Sequence, residues 1–313
     1  TSAIYLKQPL FNPDAFFGRK ASKDLMDASV YQTQFTKDAL LFETEKTYRT
    51  LQWAYKQQLA IDKNMLALKT LLAETQNRYD QGQLLNADVL MVEVQLADAQ
   101  KQAQQAQSYL QNLSDYLQLL MGRESTAVLM PADSLSWQPT TELNNVSLPK
   151  GRADLQALQL TEEAYKKQFQ AQKWSYLPAL NAFGNIQWFD NSAFNTGSNS
   201  YFVGAELTWD IFKGYQRLGK TEQTKADFEK IKLENRNYRL ESQNQLISTY
   251  RELQDAQKMI ELSQLALQQA TEQLHIQKNR FKEGLEKTSE VLRAEYQATQ
   301  MELSYYEALL MYH

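Results

Sequence analysis

Apolar positions along this chain follow two different periods, and the two periods occupy separate stretches. Beyond Gly82, the residues Val89, Val92, Leu96, Ala99, Ala103, Ala106, Leu110, Leu113, Leu117 and Leu120 step alternately by three and four. That spacing is a coiled-coil seam. The alanines in its middle let a partner helix approach closely, and the Gln and Asn residues on the other faces suit a helix wetted along its length. From Leu180 to Trp188 the period falls to two. Leu180, Ala182, Gly184, Ile186 and Trp188 take one side, and Asn181, Phe183, Asn185 and Gln187 the other. From Tyr201 the alternation is cleaner: Tyr201, Val203, Ala205, Leu207, Trp209 and Ile211 share an apolar face, opposite Gly204, Glu206, Thr208 and Asp210. Period two is the mark of a strand.

Helices are predicted to dominate, because the chain has only six prolines and ten glycines in 313 residues. From about Lys20 to Asn77 there is neither proline nor glycine, so a single helix on the order of 85 Å is expected. A second, from about Tyr215 to Phe281, carries only Gly219 near its start. Arg152 to Ser175 returns to a helix that Pro178 ends.

The chain is duplicated. Asn77-Arg78-Tyr79-Asp80-Gln81-Gly82 recurs as Asn279-Arg280-Phe281-Lys282-Glu283-Gly284, 202 positions later. The register runs on through Val89-Leu90 and Val291-Leu292, and upstream Thr47-Tyr48-Arg49 matches Thr249-Tyr250-Arg251. Leu6 to Phe11 resembles Leu207 to Phe212, which makes Ser2–Phe11 a third candidate strand. Each copy reads as a strand, a very long helix, a glycine turn and a second helix. Residues 1–122 form the first repeat, 123–151 a proline-containing connector, and 152–313 the second repeat, with its β-hairpin at 179–212. The first copy lacks the strand and helix that should precede it, so the chain is expected to start in mid-domain. Thr1-Ser2-Ala3 has no signal-peptide character.

The turns have a mechanical reading. Gly82 and Gly284 stand where a helix ends on a left-handed residue. Asn86 and Thr288 are expected N-caps of the returning helices, with Asp88 and Glu290 favourably placed in the first turn. Capping alone suffices to explain these residues.

Each strand has about the nine to eleven residues of a tilted membrane-spanning strand. Trp188, Phe189, Tyr201 and Trp209 lie near strand ends, where an aromatic girdle sits. Residues 190–200 form a polar hairpin loop. A half-buried soluble hairpin produces the same alternation, so the strands by themselves leave both readings open. Three strands cannot close a barrel, for which about eight is the practical minimum, and an open edge cannot stand in lipid. If these strands span a membrane, several chains must build the barrel.

Composition narrows the function. No 18-residue apolar run exists and mean hydropathy is -0.58, which excludes transmembrane helices. A net charge of -4 with scattered Lys and Arg gives no nucleic-acid footprint. With no cysteine and only His275 and His313, thiol and histidine catalysis and the usual metal sites are not expected, nor is any cofactor. Carboxylates are plentiful but fall on helical surfaces, where solvated pairing is the default. The chain does not read as an enzyme.

The residues resemble the TolC family of outer membrane efflux proteins over nearly the whole chain. The carriers are Arg78-Tyr79, Gly82, Asp88, Val89-Leu90 and Glu93 in the first copy. The second copy offers Arg280-Phe281, Gly284, Thr288, Glu290-Val291-Leu292 and Glu295. Around them lie Arg152-Ala153-Asp154-Leu155, Tyr176-Leu177-Pro178 and Leu207-Thr208-Trp209-Asp210-Ile211-Phe212. The resemblance implies a mainly α protein with membrane β-structure: a homotrimer whose 12-stranded outer-membrane barrel continues into a long antiparallel coiled-coil α-helical barrel in the periplasm. It implies a passive exit duct of an efflux or type I secretion system in a Gram-negative outer membrane. Its partners are then a periplasmic adaptor (a membrane fusion protein), an inner-membrane transporter and outer-membrane lipid.

The resemblance also assigns residues. The adaptor-contacting tips map to Gly82, Leu85, Asn86, Gly284, Leu285 and Thr288. The closed aperture is held in the family by an aromatic and a basic residue of the second hairpin against an acid of the first. Phe281 takes the aromatic position, Glu286 the basic one and Asp88 the acidic one, so this latch would repel. The two channel-narrowing acids correspond to Glu290 and Arg293, giving a mixed ring. On the strands, Val203, Ala205, Leu207 (near mid-membrane) and Trp209 are expected to face lipid, and Glu206, Thr208 and Asp210 the lumen. The alternative from another class, a soluble antiparallel coiled-coil scaffold, explains the helices but not the apolar strand faces.

Overall fold

The computed structural model describes residues 2–124, 127–138, 146–188 and 199–313. Thr1, Phe189, the polar loop residues 190–198 and the connector residues 125–126 and 139–145, Pro139 among them, lie outside the described residues. Eight elements follow in order: β1 (Ser2–Phe11), α1 (Pro13–Asp80), α2 (Asn86–Leu120), α3 (Ala153–Trp174), β2 (Ala179–Trp188), β3 (Asn199–Thr208), α4 (Gln216–Lys282) and α5 (Thr288–Tyr312). They form two compact units, Thr1–Lys37 with Ser147–Gln245, and Asp38–Val146 with Leu246–His313.

In the first unit the strands make one antiparallel sheet in the order β1-β2-β3. The register puts Ile4, Ile186 and Tyr201 in one cross-strand row, Leu6, Gly184 and Val203 in another, and Leu180 opposite Leu207. Gln8, in the row with Ala182 and Ala205, interrupts this face with a polar residue, and the end row joins Ser2, Trp188 and Asn199. Strand β3 stops at Thr208, earlier than the alternation through Ile211 suggests. The reason lies just beyond it: Asp210 pairs with Lys213 at 2.5 Å and Arg217 at 3.5 Å, and Gly214 and Tyr215 take positive φ before α4 begins. The middle of β3 therefore falls at Val203 and Gly204, not at Leu207.

Helix α1 starts at Pro13, seven residues before the expected Lys20, and absorbs Gly18. Proline has no N–H to lose at the first helical position and a φ already set for the helix, so the chain passes from strand to helix across Asn12 alone. Helix α3 is tied to α4 through Asp154, which is 6% exposed. Its carboxylate accepts from Arg152 at 2.5 Å and from the Tyr238 hydroxyl at 2.7 Å. Burial alone pushes its pKa up, but these donors and the Leu155 N–H outweigh burial and hold it below the ordinary range. Lys167 pairs with the buried Asp24 of α1 in the same unit.

In the second unit the period-three-and-four seam of α2 points inward throughout. Val89, Val92, Ala99, Ala106, Leu110 and Leu117 are buried and the remaining seam residues are partly so. Near the turns a core of Leu68 and Leu71 from α1, Val92 and Ala99 from α2, Phe281 from α4, and Val291 and Leu292 from α5 brings four helices together. Farther along, the described part of the connector clasps both hairpins. Asp133 accepts from Tyr48 at 2.5 Å and Gln52 at 2.6 Å, while Leu135 packs with Ile260, Ala308 and Leu309. The Tyr48 hydrogen bond draws the Asp133 pKa down and raises that of the phenol.

Candidate functional site

Two places combine exposure with chemistry: the glycine turns of the second unit and the sheet of the first. The turns are built alike. At the end of α1, Gly82 (φ 71°) donates to the Tyr79 carbonyl at 2.8 Å and Gln83 to the Arg78 carbonyl at 2.9 Å. At the end of α4, Gly284 (φ 75°) donates to Phe281 and Leu285 to Arg280, both at 2.9 Å. Both are Schellman closures on a left-handed residue. A Cβ at either glycine would meet nothing within 4 Å, so backbone conformation, not space, demands glycine there.

The N-caps differ from expectation by one position. Leu85 and Lys287 hold the extended cap conformation, and Asn86 and Thr288 are the first helical residues. An acid replaces the expected side-chain cap: the Leu85 N–H donates to Asp88 Oδ2 at 3.1 Å, the return half of a capping box. Lys287 N–H donates to Glu286 Oε1 at 3.3 Å. Thr288 is fully buried and its hydroxyl has no partner. Leu85 and Leu285 are 72% and 65% exposed, so each turn presents one large apolar side chain beside its glycine.

The aperture residues are not brought together as a latch. Glu286 pairs with Arg280 of its own hairpin at 3.2 Å, and Asp88 is engaged at the start of α2. Phe281 is 1% exposed, the largest fully buried side chain. Glu290 and Arg293 pair at 3.8 Å along α5, both side chains reaching water. Between α2 and α5, an open groove of about 670 Å³ is walled by Leu90, Met91, Val94, Leu292, Arg293 and Tyr296.

Three interactions here escaped the sequence reading. Arg78 stacks over the Phe281 ring at 4.4 Å and donates to the Lys282 carbonyl at 2.9 Å. Lys278 pairs with the buried Glu295 at 2.6 Å, and Lys63 reaches Glu302 at 3.1 Å. Arg78 carried a legible signal: its repeat partner Arg280 has Glu286 nearby, whereas the position matching Glu286 in the first copy is Leu84.

On the sheet, Val203, Ala205 and Leu207 share a face with Ile4, Leu6, Leu180 and Ile186. Tyr201, Val203 and Leu207 are 83%, 76% and 66% exposed. Glu206 and Thr208 lie on the other face, where Glu206 pairs with Lys7 at 2.7 Å across the intervening strand. These two are the only charged residues among the described strand residues. Tyr5, Phe183 and Phe202 stack on that same face, with centroids 6.3 and 5.5 Å apart. Trp209 and Asp210 lie beyond β3, the indole donating to the Tyr176 carbonyl at 3.1 Å.

Among the described residues no group of His, Cys, Asp and Glu is arranged to hold a metal ion. No helix there is long and apolar enough to cross a membrane, a statement that leaves the strands untouched.

No curated protein matches this chain. Solved structures match its fold. The outer membrane protein VceC from Vibrio cholerae is 18% identical, with 98% of this chain and 75% of that one covered at a TM-score of 0.84. The CmeC outer membrane channel of Campylobacter jejuni is 17% identical, with 99% and 68% covered at 0.83. The open-state MtrE outer membrane channel of Neisseria gonorrhoeae is 16% identical, with 99% and 76% covered at 0.63. The family model described as outer membrane efflux protein matches residues 147–312, just over half of the chain. The chain belongs to the outer membrane efflux protein family, whose members are transport conduits rather than enzymes.

Proposed function

We propose that this protein is the passive outer-membrane exit duct of a tripartite efflux or type I secretion system. Substrates pass from a periplasmic adaptor and an inner-membrane transporter to the outside. The single observation that carries the reading is the sheet, in a chain of this family. One face is largely apolar, exposed on β1 and β3 and half-buried along most of β2, and the only two charges among the described strand residues are paired on the other. Lipid on the first side and water on the second account for that division.

In this reading Val203, Ala205, Leu207 and Trp209 meet lipid, while Glu206, Thr208 and Asp210 line the water-filled side. A three-stranded sheet has two open edges and lipid tolerates none, so several chains must close the barrel; the family resemblance makes it 12-stranded, with four strands from each of three chains. Apolar surface in the second unit supports assembly as a ring. Leu90 and Val94 stay 50% and 64% exposed on α2, while Leu66 on α1 and Leu265 on α4 are 67% and 51% exposed. Different patches meeting head to tail close into rings.

The tips, Gly82, Leu85, Asn86, Gly284 and Leu285, dock the adaptor, while Thr288, fully buried, supports the second turn from within. Glu290 and Arg293 of each chain form a mixed ring that narrows the channel, with Asp88, Phe281 and Glu286 around it. Residues 1–122, 123–151 and 152–313 act as first repeat, connector and second repeat. The test is to fractionate cells making the full-length protein and then record the purified protein in planar bilayers. Recovery with outer membranes and discrete conductance steps are expected. A protein that leaves the membrane with salt and forms no channel contradicts the reading.

A further inference from the structure

The repeat breaks its own symmetry at one arginine. Arg78 and Arg280 occupy equivalent positions by the 202-residue register, each two residues before the last residue of its helix, α1 or α4. Arg280 stays within its hairpin, on Glu286 at 3.2 Å. Arg78 finds Leu84 where that glutamate would be. It crosses to the other hairpin instead, donating to the Lys282 carbonyl at 2.9 Å with its guanidinium over the Phe281 ring.

The destination is chemically apt. The Schellman closure of α4 uses the Asn279, Arg280 and Phe281 carbonyls as acceptors for Glu283, Leu285 and Gly284. Lys282 is the last residue of α4, so its carbonyl is an orphan at the negative end of a 67-residue helix. A guanidinium supplies both a donor and a compensating charge. Phe281 is anchored among Leu68, Leu71, Val92 and Val291, so the ring beneath Arg78 is held by both hairpins.

We propose that Arg78 is the positioning residue that ties the second tip to the first and so sets the resting aperture, a role Glu286 and Asp88 do not fill in this chain. The proposal rests on the duct reading. It acts through the backbone of α4 and the Phe281 ring, so its hold depends on charge and planar geometry and not on an acid partner. Leu84 is the sequence determinant: the absence of a carboxylate there is what frees Arg78 to cross.

The test uses the full-length trimer, whose described chain has no cysteine, so paired cysteines at Gln83 and Glu283 take spin labels selectively. Arg78→Ala is expected to lengthen and broaden the tip-to-tip distance and to raise resting conductance at least twofold. Arg78→Lys, which keeps one donor and the charge, restores part of both. Leu84→Glu leaves the arginine present but offers it a local acid, and should reproduce Arg78→Ala, while Leu84→Gln should not. Arg280→Ala should change neither readout. If Arg78→Ala abolishes the trimer, Leu84→Glu decides; loss of the trimer there too makes the arginine structural and overturns the proposal. Unchanged distance and conductance in both variants overturn it as well. A wild-type protein with a narrow label distance but no conductance counts against the duct reading instead.

Discussion

A charge at the centre of the apolar strand face is the sharpest perturbation available. Val203 lies at the middle of β3, opposite Gly184 and in the same row as Leu6, and is 76% exposed. If that exposure is to lipid, arginine at mid-membrane costs about 2–4 kcal/mol per chain, roughly 30- to 900-fold in each chain's insertion equilibrium. Three copies assembled together multiply the cost to about 6–12 kcal/mol per trimer. The control is the adjacent residue. Phe202 points to the opposite face and is 63% exposed, so Phe202→Arg meets water and forfeits only its contact with Phe183. That contact is worth about 0.5–1.5 kcal/mol. Guanidinium unfolding from liposomes, read as a midpoint shift with slope unchanged, separates the two. Equal effects of the neighbouring substitutions, or a larger one for Phe202→Arg, would refute the assignment of faces.

Other outcomes follow from single contacts. Phe281→Ala empties the four-helix core at the tips and should cost about 3–5 kcal/mol, read as faster hydrogen exchange around Leu68, Val92 and Val291. Gly284→Val forces a β-branched residue to φ 75°, a strain of about 1–3 kcal/mol. Gly284→Asn should be tolerated, and export assays should separate the two while trimer mass stays constant. Asp154 has a folded pKa below its unfolded one, so its stabilisation is present above the unfolded value of about 3.9 and is lost as pH falls through the folded value. Tyr238→Phe should therefore cost about 1.5–3 kcal/mol at pH 7, and progressively less on acidification, in denaturant titrations. Arg293→Ala should raise the conductance in planar bilayers, and Glu290→Ala should weaken block by multivalent cations; conductance and block unchanged in both would leave the pair as surface decoration.

Much of the architecture was written in periodicity. The alternate three-and-four steps of α2 located its buried face residue by residue, because a helix in a bundle must bury one stripe. The strict alternation of β3 likewise placed Val203 and Glu206 on opposite faces, since a strand has no third option. The glycine turns were legible because only a left-handed residue closes a Schellman motif cheaply. What stayed hidden depends on neighbours distant in sequence. The end of β3 is decided by Asp210 meeting Lys213 and Arg217, which overrides an alternation that continues to Ile211. The cap of α2 slipped one residue because Asp88 supplies the acceptor from three positions along, and at α5 Glu286 supplies one from the residue before the cap. The pairing of Lys7 with Glu206 needs two strand registers at once. Arg78 needs the other hairpin.

The central claim is that the sheet completes its barrel only with other copies of the same chain. The most direct measurement is native mass spectrometry of the full-length protein extracted from outer membranes in mild detergent. The account predicts a particle of three chains that gives single-channel conductance from the same preparation. A monomer or dimer of full activity, or a protein that needs no detergent to stay in solution, would contradict it.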